Sequence, residues 1–180
     1  MVVGGGGVAA RKAAAFLECG ALVTVISPDW GEDFPSVTHF ARKYRSGDCA
    51  GFVLVCAATN FAEINAQIGA EAKQLGIWCN LADDPQNSDF HTAATIRRGE
   101  ITVGITTGGA SPVLAGYVKS HVEAKIGNEY AQLLEIVGSY QIEVRKRGAF
   151  WRQLLESEVL ELLRAGKRDE AIRLIEKFSA

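Results

Sequence analysis

An α/β fold, a parallel sheet wound with helices and followed by an all-helical region, is predicted by three features of this 180-residue chain. Short apolar segments rich in β-branched residues alternate with helical segments as far as Thr106, the pattern of βαβ units. Four consecutive glycines, Gly4 to Gly7, separate the first apolar stub from an alanine-rich helical start. From Ser111 onward strand signals cease and apolar residues recur at helical spacing.

The elements follow in order. Met1-Val2-Val3 forms a first strand that is short for a central position. Arg11 to Cys19 reads as a helix with Ala13, Phe16 and Leu17 on its apolar side, and Gly20 stops it. Ala21 to Ile26 is nearly unbroken in apolar and β-branched residues, as a strand covered on both faces requires. Thr38 to Arg42 and Phe52 to Ala58 are further strands, the second apolar throughout and expected near the centre. Ala62 to Leu75 is a helix with Ile64, Ile68 and Leu75 on its apolar side, closed by Gly76. Ile77 to Leu81 and Ile101 to Thr106 complete the strands, the latter introduced by the turn Arg98-Gly99-Glu100.

Ser111-Pro112 then makes an N-cap and N1 pair, and Leu114, Val118, Val122 and Ile126 recur every fourth residue until Gly127. Helices are expected over 130–147 and 150–164 and, past Ala165-Gly166-Lys167, over 169–178. The expected division is a nucleotide-binding domain over 1–110, a dimerising and linking region over 111–127 and a helical domain over 128–180. Helices with apolar stripes and little core of their own pack on a partner chain, so a homodimer is expected.

The glycine run suggests the chemistry. Aligned as G-x-G-x-x-A, Gly4 makes the tight turn, Gly6 lets the backbone approach a pyrophosphate, and Ala9 keeps the helix close to its strand. The helix N-terminus offers N–H donors and partial positive charge to phosphates. A flexible turn would carry the same four glycines. Asp29 follows the second strand about 20 residues beyond the motif, where an acid accepts bonds from adenosine ribose hydroxyls and repels a 2′-phosphate. With no arginine beside Asp29, NAD is expected rather than NADP. Ser27-Pro28-Asp29 also reads as an ordinary loop turn.

Composition narrows the class. A 48% hydrophobic content suffices for a core, and a net charge of −2 argues against general nucleic-acid or membrane-surface binding. No apolar run reaches transmembrane length and no signal peptide precedes the glycine turn, so a cytoplasmic protein is expected. Cys19, Cys49, Cys56 and Cys79 lack ligand spacing and fall in apolar surroundings, which predicts buried free thiols and no metal site.

Three segments carry a more specific pattern. The first is Val2 to Lys12. The second is Ala57-Ala58-Thr59 with Asn65, then Asn80-Leu81-Ala82-Asp83-Asp84-Pro85 and Phe90. The third is Thr106-Thr107-Gly108-Gly109-Ala110-Ser111-Pro112-Val113-Leu114-Ala115. Their order and spacing resemble the precorrin-2 dehydrogenase / sirohydrochlorin ferrochelatase family, also found as the N-terminal module of sirohaem synthases. The resemblance runs from Val2 to about Ile126 and more loosely through the helical tail. It implies a Rossmann domain, a dimerisation region and a helical C-terminal region in an intertwined homodimer. It also implies NAD-dependent oxidation of precorrin-2 to sirohydrochlorin and, in some members, insertion of ferrous iron to give sirohaem. A nucleotide-sensing regulatory domain would share the glycine turn, the acid and the dimerising helices, but it has no need for the second and third segments.

Carried over residue by residue, the family's NAD contacts fall on Gly7, Val8, Pro28 and Asp29, and its catalytic aspartate on Asp83. Thr59 ends a central strand, where open α/β sheets place their ligands, and is expected near the nicotinamide. Asp83 lies just past a strand and could take a proton from the macrocycle as hydride leaves, best if burial or Asp84 raises its pKa; Asp83-Asp84-Pro85 also reads as a plain turn. Thr107, Gly108, Gly109 and Ser111, ahead of a helix N-terminus, suit the carboxylates of a polyacidic tetrapyrrole, although a capped turn needs the same residues. Arg97, Arg98 and Lys119 could attract that substrate or be solvated surface charge. His91 could be a base or transient iron ligand, or a loop histidine.

Two departures stand out. The family has about ten residues before the end of its first strand, and it has proline where this chain has Ala93. No methyltransferase-like segment is seen, so precorrin-2 is expected from a separate enzyme.

Overall fold

In the computed structural model, which describes residues 1–31 and 34–179, the chain divides into two units, Met1–Thr92 and Ala93–Ala180. The first is built on β1 (Val2–Val3), α1 (Gly7–Glu18), β2 (Thr24–Ile26), β3 (Thr38–Phe40), β4 (Leu54–Ala57), α2 (Ala62–Gln74) and β5 (Trp78–Leu81). Its sheet has the order β3-β2-β1-β4-β5 with every pair parallel, the first five strands of the Rossmann order 3-2-1-4-5-6.

Side-chain alternation covers both faces of this sheet. Val2, Val25 and Cys56 meet Ala9 and Ala13 of α1 on one face. Val3, Ile26, Val55, Ala57, Cys79 and Leu81 meet Ile68 and Ala72 of α2 on the other. The alanines of α1 let that helix approach closely, as the sequence motif requires.

The strands are shorter than their apolar runs. Leu22 is 99% exposed and Val53 84%, because β1 contributes only two residues and a run extending past its neighbours' ends has nothing to pair with. Leu75, expected on the buried side of α2, caps the helix and is exposed, while Ala72 takes the buried place.

The second unit opens with β6 (Ala94–Arg98) and β7 (Ile101–Ile105), an antiparallel hairpin in a sheet of its own. The strand expected over 101–106 is thus β7, but it does not extend the parallel sheet. Its partner β6 was not anticipated, because Thr95, Arg97 and Arg98 hide the apolar alternation. Gly99 adopts a left-handed φ of 57° at the tight turn between them. The division between units falls before this hairpin, whereas the strand pattern placed it near residue 110.

Helices α3 (Pro112–Glu123), α4 (Glu129–Gly138), α5 (Arg147–Leu155), α6 (Val159–Arg164) and α7 (Arg168–Ser179) follow. The helix expected over 130–147 ends at Gly138, and the one over 150–164 breaks into α5 and α6. These helices do have a core of their own: Leu133, Phe150, Leu154, Val159, Leu163 and Ile175 are buried together. Along the predicted stripe of α3, Leu114 and Val118 are exposed and Val122 is half-buried, while Ala115 is the buried residue of the helix. No helix among the described residues is long and apolar enough to cross a membrane.

Candidate functional site

The carboxyl ends of β1, β2 and β4 open into a cavity of about 1030 Å³, a size suited to a nucleotide-scale ligand. The glycine run forms its floor. Gly4 has φ +130°, and a Cβ there would collide with the carbonyl of Ala58. Its N–H donates to Ile26 O at 3.0 Å. Gly5 is packed as tightly: a Cβ would meet the Asp29 carbonyl and Ser27 Oγ, and Gly5 O accepts from Gly31 N–H at 3.3 Å. The sequence motif left this second glycine without a role; only the packed loop after β2 shows why it cannot carry a side chain.

Gly6 faces open space, lines the cavity and is the N-cap of α1. Without a side chain it cannot cap its own helix, and no acid occupies the first turn, so the N–H groups at Gly7 and Val8 suit an anion. Pro28 and Asp29 line the same cavity and are exposed. The buried Ser27 holds them in place by donating its hydroxyl to Asp29 O. A dinucleotide fits this donor set: glycines where its phosphates would crowd a Cβ, a helix N-terminus, and a carboxylate after β2.

Thr59 closes another side, at the end of β4. Its hydroxyl donates to Asn65 Oδ1 at 2.7 Å, its N–H reaches the same oxygen at 3.1 Å, and its carbonyl accepts from Asn65 Nδ2 at 3.1 Å. Asn65, only 1% exposed, therefore fixes the Thr59 backbone, and the hydroxyl proton is already committed.

Lys43 and Tyr44, which sequence reasoning passed over, also line the cavity. Tyr44 Oη donates to Glu71 Oε2 at 2.6 Å; the N–H groups of Gly47 and Cys49 each reach the same carboxylate at 2.9 Å. Burial pushes the Glu71 carboxyl up, but these hydrogen bonds outweigh it and hold the pKa down at about 2. Burial raises the Tyr44 phenol and the Cys49 thiol, the latter to about 11.

Asp83 lies just past β5 on the same carboxyl edge of the sheet, exposed and outside the residues that line the cavity. Asp84 is a turn residue: Asn87 donates to it through its side chain at 2.6 Å and its backbone at 3.2 Å, holding its carboxyl low. The buried Asn80 donates to Phe90 O at 2.8 Å, shaping the segment that leads to the exposed His91.

In the second unit, Thr107 to Ser111 close a turn on themselves. Ser111 N–H donates to Thr107 Oγ1 at 3.0 Å, Thr107 Oγ1 donates to Ser111 O at 3.1 Å, and Ser111 Oγ caps α3 by accepting from Leu114 N–H at 3.2 Å. Gly108 and Gly109 take φ of 63° and 84°, which explains the glycine pair. Arg98 is held by Ile126 O at 3.1 Å and Glu123 at 3.4 Å, and Lys119 lies 3.8 Å from Glu123.

Three cysteines are buried as expected, but Cys19 is exposed, because it caps the C-terminus of α1 beyond its last buried turn. Among the described residues no group of three or more His, Cys, Asp or Glu is arranged to hold a metal ion.

Comparison with known proteins agrees with this geometry. The family model described as "Putative NAD(P)-binding" matches residues 1–94, and the sirohaem synthase dimerisation region matches 129–177. A siroheme synthase of Thioalkalivibrio sulfidiphilus is 34% identical over 98% of this chain and 39% of its own length. A siroheme synthase of Pseudomonas aeruginosa is 31% identical over 100% of this chain and 42% of its own. The chain thus spans about two fifths of the length of these relatives. The solved structure of SirC, precorrin-2 dehydrogenase, shares the fold with a TM-score of 0.68 at 22% identity, covering 98% of this chain and 92% of that one. The glycine cradle and the match over residues 1–94 place the chain in this NAD(P)-binding family, to which it belongs, with a sirohaem synthase dimerisation region as its helical segment.

Proposed function

We propose that the chain catalyses the NAD-dependent oxidation of precorrin-2 to sirohydrochlorin, as a cytoplasmic homodimer. The observation that carries this reading is the glycine cradle at the end of β1, opening into a nucleotide-sized cavity that Asp29 and Thr59 also line. Support for the substrate comes from the siroheme synthases that resemble nearly the whole chain and from the fold shared with SirC, precorrin-2 dehydrogenase. NAD, when bound, supplies the hydride acceptor. Gly6, Gly7 and Val8 bind its pyrophosphate through the start of α1, and Asp29 takes the ribose hydroxyls.

Asp83 acts as the base that receives the macrocycle proton. Its place on the carboxyl edge of the sheet supports that role, while Asp84 is occupied by Asn87. Thr107, Gly108, Gly109 and Ser111 receive substrate carboxylates at the start of α3. The exposed stripe of α3 supports a homodimer.

Mixing the protein with NAD and enzymatically made precorrin-2 and following NADH absorbance tests the reading. NADH formation is expected, and Asp83→Ala should abolish it while leaving NAD affinity nearly intact. NAD binding without turnover would replace this reading with a nucleotide-sensing domain. Adding ferrous iron to sirohydrochlorin, followed by its visible spectrum against a control without protein, tests whether iron is a further substrate.

A further inference from the structure

We infer that Phe61 stacks on the adenine ring and so positions the cofactor from its non-reacting end; this rests on the reading of the cavity as a dinucleotide site. The sheet register pairs Val3 of β1 with Ile26 of β2 on one side and with Ala57 of β4 on the other. The ends of β2 and β4 therefore stand two strand spacings apart, about 10 Å. The walls that continue from them, Pro28 with Asp29 and Phe61 with Ile64, line one cavity together with the glycine floor. A planar ring with a contact layer on each face needs about 7 Å, so one base fits between such walls.

Two relationships say which base. Asp29, the acid after β2, takes the adenosine ribose, and adenine is one bond from that sugar. Asp83, beside which the reacting nicotinamide has to lie, is outside the residues that line the cavity. Phe61 is 69% exposed, a large aromatic side chain that its own fold leaves in water at the cavity wall. Its backbone is nevertheless held from both sides. The Phe61 N–H donates to Thr59 Oγ1 at 3.2 Å, and its carbonyl accepts from Asn65 N–H at 3.0 Å, at an extended residue just before α2. The ring thus starts from a fixed point, and only its side-chain torsions are left to order on binding. An aromatic face then gives the base affinity through stacking.

Calorimetric titration of the full chain with NAD⁺ and with ADP-ribose, which keeps the adenine and lacks the nicotinamide, tests this in wild type, Phe61→Ala and Phe61→Tyr. Truncating an exposed side chain leaves the fold intact. Phe61→Ala should weaken NAD⁺ and ADP-ribose alike by about tenfold, the scale of one base stacked on an aromatic ring. Phe61→Tyr, which keeps the flat ring, should restore both. Weakening of NAD⁺ without weakening of ADP-ribose, no weakening of either, or a Phe61→Tyr variant as weak as Phe61→Ala would each overturn the inference while leaving the dinucleotide site standing. A wild type that binds neither NAD⁺ nor ADP-ribose would overturn the dinucleotide reading itself, and this inference with it.

Discussion

Tyr44 Oη lies 2.6 Å from Glu71 Oε2, and this bond ties the loop after β3 to the last turns of α2. The same carboxylate accepts from Gly47 and Cys49, so one side chain organises a loop with no regular structure of its own. That loop forms a wall of the cofactor cavity.

Glu71→Gln should destabilise the protein by about 2 kcal/mol, since an amide NH₂ would face a donor where the carboxylate accepted. The sign of the pH dependence follows from the depressed pKa of about 2. The carboxylate's contribution is fully present above the ordinary glutamate value and is lost as pH falls through the folded one, between about pH 5 and pH 2. Urea midpoints measured across that range should fall more steeply for wild type than for Glu71→Gln.

The glycines should separate folding from binding. Gly4→Ala combines a φ of +130° with a collision against Ala58 O and should destabilise by at least about 2 kcal/mol. Gly6→Ala meets nothing within the protein and should keep stability within about 1 kcal/mol, while weakening cofactor binding about tenfold. Thermal melts and cofactor titrations of the two variants, run side by side, check this.

Asn65→Ala leaves the Thr59 N–H and hydroxyl without their buried acceptor. A loss of about 2 kcal/mol is expected, with cofactor affinity falling because Thr59 moves at the cavity wall. Asn65→Asp should retain the acceptor oxygen and recover part of the affinity.

Thiol reactivity should divide one against three. Cys19 is exposed, whereas Cys49, Cys56 and Cys79 are buried and burial raises their pKa values, to about 12 for Cys79. A colorimetric thiol reagent should therefore titrate one cysteine rapidly in the native protein and the remainder only in denaturant. Rapid modification of all four would contradict the packing of the sheet.

Local chemistry was legible from the residues alone. The glycine turn, the alanine face of α1, the buried strands and the Ser111-Pro112 cap all depend on neighbours within a few positions, and each formed where its pattern stood. Three-dimensional pairing decided the rest. The β6–β7 hairpin depends on cross-strand partners that an arginine-bearing strand conceals, and strand lengths were set by the two residues of β1. The sequence did not show how Gly5 packs in the cavity floor, how Asn65 braces Thr59 or how Glu71 holds the loop that carries Lys43, because these contacts join β1 to the loop after β2, the end of β4 to α2, and the loop after β3 to the same helix. Short-range sterics and periodicity write themselves into consecutive residues; the meeting of side chains far apart in the chain is a property of the folded sheet.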